Sequence, residues 1–537
     1  MQCRALPFRQ LPHQPPLHLA FHDDFQKVKA FYTHEPKLET AAQLASNLPY
    51  PQSRRTAVAA VLREQNENLG ASQVALDNLS RLERGAVAVV TGQQVGLFGG
   101  PAYSFYKALS AIEAARLLTK SGVDAVPIFW MATEDHDLNE VRHTSFFHDG
   151  KLVKFELPVQ PSPANPVGPI KLGPQISEIV RAATVMLGGP AAADLAALLR
   201  ASYSPDESYC SSFAKLFTGL FSPRGLILLD PLDHRFHRLA EPIYRQAAEE
   251  RAELNEALLA RNKELDRAGF APQVKVTGRS TALFYMGANG REAIHANGSQ
   301  FTADSIRWSP QELATAISQS PECFSPNALL RPVVQDYLLP TVAFVAGPSE
   351  ISYFAQSDIF YGKLLRRHPV FLSRAGFTLV DSKAQRLLEQ YEMTVEDVWQ
   401  GSQTVRRKLG AANLTDALGS RLEKDAQKIQ KLLEGWSGPI GRIDPTLKAT
   451  VENAQKKIAY QVEKLRQQAG WARDQRGSVL ASHAEFLSNL LYPNKALQSR
   501  ELCLVPLLAR WGMEGLDALQ KHSSGKYLGT HFLVPIP

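Results

Sequence analysis

At 537 residues the chain has room for about three or four domains of ordinary size, or for one core carrying large insertions. Hydrophobic residues make up 44% and charged residues 21%, which excludes wholesale disorder and predicts a sizeable core. Against 53 Asp and Glu stand 59 Lys and Arg, and the resulting +6 is too small for this length to mark a nucleic-acid wrapper.

Cys3, Cys210, Cys323 and Cys503 form no CxxC pair, so neither a disulfide framework nor a zinc cage is readable, and a reducing, cytoplasmic compartment is expected. The proline-broken start has no apolar signal-peptide core, and no window approaches a membrane span, which predicts a soluble protein. Residues 1–85 read as a helical lead-in packed on the core, with apolar residues at helical spacing on either side of NLPYPQ. The first strong strand is AVAVV at 86–90, followed by the glycine-rich turn TGQQVGLFGG. Pro101 is placed to open a helix, on which Leu109, Ile112, Ala115 and Leu118 form a stripe expected to face a sheet. A second strand, AVPIFWMA at 125–132, ends in Thr133, Glu134, Asp135, His136 and Asp137. Strand, loop, helix and strand in this order open a doubly wound α/β sheet.

The Pro-, Ala- and Gly-rich stretch at about 150–220 reads as an insertion, after which the core resumes with GLILLD at 225–230. A second insertion at about 235–325 holds a helical stretch, then QVKV and TALFYMG as an expected antiparallel pair. TVAFVA at 341–346 is a further buried strand, and TVAFVAGPSEISYF echoes AVAVVTG…GGPAYSFYK, which suggests two halves of one sheet spanning residues 86–380. Residues 381–482 are long, charged and helical. Leu418, Leu422, Ala426, Ile429, Leu432 and Trp436, then Leu447, Val451, Ala454, Ile458, Val462, Leu465 and Ala469, form two stripes joined by GWSGPIGRIDP, the pattern of an antiparallel helical hairpin. Residues 401–480 hold 15 Lys and Arg against 8 Asp and Glu, so the hairpin is +7 and the remainder is −1. Its interspersed signs and scarce aromatics favour an oligomerising seam over nucleic-acid binding. Residues 483–537 are expected to fold back on the core.

Three stretches could carry chemistry. The turn with Thr91, Gly92, Gln93, Gln94, Gly99 and Gly100 precedes a helix start suited to a phosphate or carboxylate, with Tyr103 and Lys107 one turn apart on the same face. The alternative is a tight turn with ordinary surface residues, because neither dinucleotide nor P-loop spacing is met. The cluster Glu134, Asp135, His136 and Asp137 follows a buried strand, where such charges must meet solvent, donors, a cation or a substrate amine. His136 there is a candidate acid or base, the carboxylates are candidates for magnesium beside nucleotide phosphates, and a merely acid-decorated helix start remains open. Gly347 and Glu350 form a second helix start that would favour an amine, with Tyr353 on that helix and Arg331 and Gln335 as neighbours of the cleft or as structural hydrogen-bonding groups.

The runs TGQQVGLFGGPAYSFYKALSAI, PIFWMATEDHDLNEVRH, RPVVQDYLLPTVAFVAGPSEISYF and YPNKALQSRE, in this order, closely resemble the BshC family, cysteine ligases of bacillithiol biosynthesis. The resemblance spans nearly the whole chain. It implies a Rossmann-like core of the nucleotidyltransferase type with two connecting insertions and a C-terminal antiparallel coiled coil that forms a homodimer. It also implies the joining of the cysteine carboxyl group to the amine of glucosaminyl-malate. A free carboxylate is a poor electrophile, so activation by ATP with magnesium is expected. Gly92, Gln93, Gln94, Gly99 and Gly100 would hold phosphate or the activated carboxyl, Lys107 would stabilise developing charge, and His136 or a neighbouring carboxylate would take the amine proton. The HIGH and KMSKS motifs of class I aminoacyl-tRNA synthetases and evident zinc ligands for a thiol are missing from the sequence. A nucleotidyltransferase with another acceptor and a coiled-coil adaptor are the competing expectations.

Overall fold

The computed structural model describes residues 2–158, 165–287, 290–412, 417–444, 447–473, 478–523 and 529–537. At its centre lies a five-stranded, all-parallel sheet: β1 (Val87–Gln93), β2 (Ala125–Met131), β3 (Ile227–Leu229), β4 (Thr341–Ala346) and β5 (Val370–Ser373). The spatial order is β5-β4-β1-β2-β3, so the chain builds outward from β1 in one direction and then returns to its other side. This is the Rossmann order, and its reversal leaves a crevice between the carboxyl ends of β1 and β4. The strands read as continuous apolar runs because both faces are covered. Ala88 and Val90 of β1 pack in one cluster with Trp130 and Phe344, while Val87 and Val89 pack in another with Val342 and Val345.

The helix α1 (Tyr103–Lys120) connects β1 to β2. Leu109, Ile112, Ala115 and Leu118 are buried as expected, but so is every residue from Ser104 to Ala115. The wider burial arises because the C-terminal segment covers the helix's outer face: the Ala102 N–H donates to the Leu502 carbonyl, and Gln520 donates to Glu113. That segment ends in a strand, His531–Pro535, paired antiparallel with Arg4–Leu6 and parallel with Gly376–Val380.

Between β2 and β3 lie a hairpin, His143–His148 with Lys151–Glu156, and the helices Gln175–Val185, Ala192–Ser202 and Tyr209–Phe221. Between β3 and β4, the helices His234–Glu249 and Arg251–Arg267 lead into a second, antiparallel sheet. Here the expected pairing of QVKV with TALFYMG is corrected: Ser280–Gly287 pairs with Gly290–Asn297, and residues 273–276 form no strand. The Val274 and Gln273 amides instead donate to the Gln356 side chain, which removes them from any ladder.

The C-terminal coiled coil is built on the helices Ala417–Ile443 and Leu447–Arg473. GWSGPIG does not break the first of them. Pro439 sits inside a helix that runs on to Ile443, since a proline removes only one donor and the neighbouring helix supports the remainder. Leu433 and Val451 are buried between helices, whereas Leu432, Trp436 and Leu465 of the expected stripes face outward. Among the described residues no helix is long and apolar enough to cross a membrane.

The close approach of β1 to β2 explains one glycine. A Cβ on Gly92 would lie 2.6 Å from the Trp130 carbonyl oxygen, a backbone atom held in the sheet. Gly92→Ala is therefore expected to lower stability by about 1–3 kcal/mol. Urea unfolding checks this, and an unchanged midpoint would mean that the strands part locally at no cost.

Candidate active site

A cavity of about 630 Å³ opens at the carboxyl ends of β1 and β4. Its walls come from both halves of the sheet: Gly92 and Gln93 at the end of β1 with Gln94 just beyond, Glu134, Asp135 and His136 after β2, and Gly347, Ser349 and Glu350 after β4. Tyr103 and Lys107 of α1, and Arg331 and Tyr353, complete the expected residues that reach it. This is the crevice in which open α/β sheets place ligands.

Lys107 is the tie between the two halves. Its side chain is 3% exposed, and its ammonium donates to the Gly92 carbonyl at 2.7 Å and to Gln93 Oε1 at 2.9 Å, while Glu350 Oε2 lies 2.5 Å away. Three acceptors match the three donors of an ammonium, so this lysine is engaged by protein rather than free for an anion. Burial pushes its pKa down, and the Glu350 carboxylate works against that shift. Glu350, at the start of α2 (Pro348–Phe360), also accepts from the Gly347 N–H at 2.7 Å, so its charge already has partners.

Across the cavity, Glu134 is buried and raised in pKa, chiefly by burial, with His237 and Arg291 pulling it back. His237 Nε2 lies 3.6 Å from Glu134 Oε1, and its Nδ1 lies 3.0 Å from the Phe324 carbonyl oxygen. A carbonyl only accepts, so Nδ1 carries a proton and Nε2 is the nitrogen that faces Glu134. His136 is more open, its side chain 47% exposed. Its Nδ1 lies 3.4 Å from Arg291 Nη1 and 3.7 Å from Asp135 Oδ1. Asp135 and Glu140 each accept from Gln94 Nε2, at 2.9 and 2.7 Å. Burial, then Asp135 and Asp137, raise the Glu140 pKa.

Five expected residues do not line the cavity. Thr91 Oγ1 donates to the Val345 carbonyl and joins β1 to β4. The Gly99 N–H donates to the Tyr203 hydroxyl, and Gly99 and Gly100 have φ of 87° and 70°, so they shape the turn rather than cradle a ligand. Asp137 caps the short helix Leu138–Val141 through the Glu140 N–H. Gln335 is fully buried and donates to Asp336, while Arg331 donates to Tyr353 at 3.0 Å.

Several lining residues come from places that sequence reading did not single out: Arg251 and Asn255 at a helix start, Arg291 in the antiparallel sheet, Arg374 after β5, and Arg500. Arg500 lies in the YPNKALQSRE run, the only one of them with a sequence signal. Arg291 is held by Ser325 and by the Pro326 carbonyl, and stands over the Phe284 ring at 3.9 Å. The cations outnumber the acids, as the binding of an anionic ligand requires. Among the described residues, no group of three His, Cys, Asp or Glu side chains could hold a metal by itself. Magnesium commonly keeps one or two carboxylates and enters with phosphates, and the half-buried Asp135 and the exposed Glu140 are the carboxylates here that fit such a role.

Comparison with known proteins agrees with this fold. The family profile for the bacillithiol biosynthesis BshC N-terminal Rossmann-like domain matches residues 1–375, and that for its C-terminal coiled-coil domain matches residues 377–531. A protein of Koribacter versatilis named "Putative cysteine ligase BshC" is 38% identical over 516 residues, covering 96% of each chain. Proteins of the same name from Solibacter usitatus and Salinibacter ruber are 34% and 29% identical over 523 and 534 residues, with 96% or more of each chain covered.

Proposed function

Because the chain belongs to the bacillithiol biosynthesis BshC family, we propose that it is a carbon–nitrogen ligase that joins the carboxyl group of cysteine to the amine of glucosaminyl-malate. The observation that carries this reading is the cavity at the sheet's reversal point, where turns from both halves meet a surplus of cations and one buried acid. Forming the amide requires the carboxyl oxygen to leave with an activating group and the amine to lose a proton. ATP supplies the activation when bound. Arg251, Arg331 and Arg500 would hold its phosphates or the substrate carboxylates, and Gln93 and Gln94 would orient the reacting carboxyl.

Proton acceptance falls to Glu134 with His237. An arginine always donates, so the Arg291 contact asks His136 Nδ1 to accept and leaves the His136 proton on Nε2. His136 would then offer an N–H to the substrate. Glu134, buried and raised in pKa, is tuned as a base for an ammonium entering the cavity. Lys107 holds the two turns at fixed separation and contributes positive charge beneath the reacting carboxyl. The outward-facing Leu432, Trp436 and Leu465 support a homodimer through the coiled coil, and the free thiols suit a cytoplasmic setting.

Incubation of the purified protein with magnesium, ATP, cysteine and glucosaminyl-malate tests the reading. Mass spectrometry should detect a product equal to the two substrates less one water, with ATP consumed in step. Nucleotide transfer to another acceptor, with cysteine untouched, would replace this reading with a nucleotidyltransferase.

A further inference from the structure

Arg374, the residue immediately after β5, is 8% exposed, yet among the described residues it has no carboxylate within ion-pair distance. Its guanidinium donates from Nη1 to the Ala375 carbonyl at 3.0 Å and stands 5.7 Å from the centroid of the Tyr103 ring. The other buried arginines are better provided for. Arg261 pairs with Asp358, Arg55 donates to the Leu82 and Ala86 carbonyls, and Arg291 has Ser325 and Pro326. A buried charge without a carboxylate partner is costly, and burial, with Arg500 nearby, pushes the Arg374 pKa down to about 10.

The position of this guanidinium gives it an outlet. Arg374 and Arg500, with Pro348 and Ser349, form the partition between the main cavity and a smaller one of about 220 Å³. Lys495 also lines the smaller cavity, and no Asp or Glu does. His18 and His531 line it too, but burial holds both well below their ordinary pKa, so at neutral pH they add hydrogen-bonding capacity and no charge. His18 Nδ1 is buried and has no hydrogen-bond partner among the described residues.

We propose that Arg374 and Arg500 form an anion-binding subsite at the junction of the two cavities, which takes a carboxylate or phosphate group. The planar fork of a guanidinium matches either anion, and a neutral histidine can donate to the same oxygens. The proposal rests on the ligase reading only for the two candidate sources, the malate carboxylates and the nucleotide phosphates.

Thermal unfolding and calorimetric titration with L-malate and with inorganic pyrophosphate, in the absence of cysteine, test it for the full chain. Wild type should be stabilised by at least one of the two, since a ligand bound to the native state raises the melting temperature. Arg374→Met should weaken that binding at least about tenfold. Without ligand it should melt at the wild-type temperature or above, because an unpaired buried charge is removed. Arg500→Met, at an exposed position, should weaken the same anion several-fold with no change in fold. Response to malate alone assigns the carboxylate, and response to pyrophosphate alone assigns the phosphate. Equal stabilisation of wild type and both variants, no stabilisation of wild type by either anion, or a ligand-free Arg374→Met protein that melts far below wild type would overturn the proposal. Because binding is read without turnover, a chain that forms no amide could still pass.

Discussion

Replacing Lys107 by methionine is expected to reduce amide formation by about 10²-fold, because the two turns it ties together would shift and the positive charge it places beside the cavity would be lost. The same change should lower stability by about 3 kcal/mol, at the lower end for a broken buried pair. The lower end applies because the Glu350 side chain keeps 16% of its surface exposed and can be partly hydrated once its partner is gone. The methionine cannot donate to the Gly92 carbonyl or to Gln93 Oε1, so the first turn also loses its anchor. A second substitution separates the two effects. In Lys107→Met with Glu350→Gln, no unpaired carboxylate remains and the glutamine oxygen can still accept from the Gly347 N–H. Stability should recover by at least half while turnover stays low. Urea unfolding and product mass spectrometry read the two quantities. Recovery of turnover together with stability would show that Lys107 acts only as a brace.

Glu134→Gln is expected to reduce turnover by about 10²–10⁴, the usual worth of a positioned base. It should also remove the acidic limb of the pH–rate profile, whose apparent pKa belongs to the Glu134–His237 pair rather than to either residue. The stability effect has the opposite sign. Burial raises the Glu134 pKa in the folded state, so the native protein holds this proton more tightly than the unfolded chain does. The associated stabilisation is fully present below the unfolded carboxylate value of about 4.3 and is lost as pH rises through the folded pKa. Above that window wild type holds a buried carboxylate, whereas the glutamine variant holds a neutral group. The variant should therefore match wild type near pH 4 and melt higher than wild type near pH 8. A melting temperature that falls equally at both pH values would show that Glu134 is not the titrating group.

Much of the architecture was open to sequence reading because it rests on short-range patterns. β1, β2 and β4 are unbroken apolar runs that end in glycine or a charged cluster, so both the strands and the turns at their carboxyl ends are visible along the chain. Glu134 and Glu350 lie just past the ends of β2 and β4, and Tyr103 and Lys107 lie on the first turns of the helix that follows β1, and for that reason they reach the cavity. What Lys107 does there was not visible, because its third acceptor is supplied by Glu350, which only the pairing of β1 with β4 brings near. The same holds for His237, which meets Glu134 from a helix beyond β3, and for Arg291 and Arg374, which stand in no motif. The mispaired QVKV segment has a different cause. Its valines alternate as a strand's would, and the Gln356 side chain that takes up its amides lies on a distant helix.

The covering of α1 by the C-terminal segment bears on how activity is lost on heating. Cys503 donates to the Phe98 carbonyl across 405 positions of sequence, and the neighbouring Arg500 reaches the cavity through that packing. The parallel sheet, by contrast, is held by its own ladders and by clusters on both faces. Detachment of the C-terminal segment would withdraw Arg500 and bare one side of α1 while leaving those ladders in place. Thermal inactivation is then expected as a partial opening that precedes melting of the sheet, and ligands that bridge Arg500 to the core should delay it more than they delay the final transition.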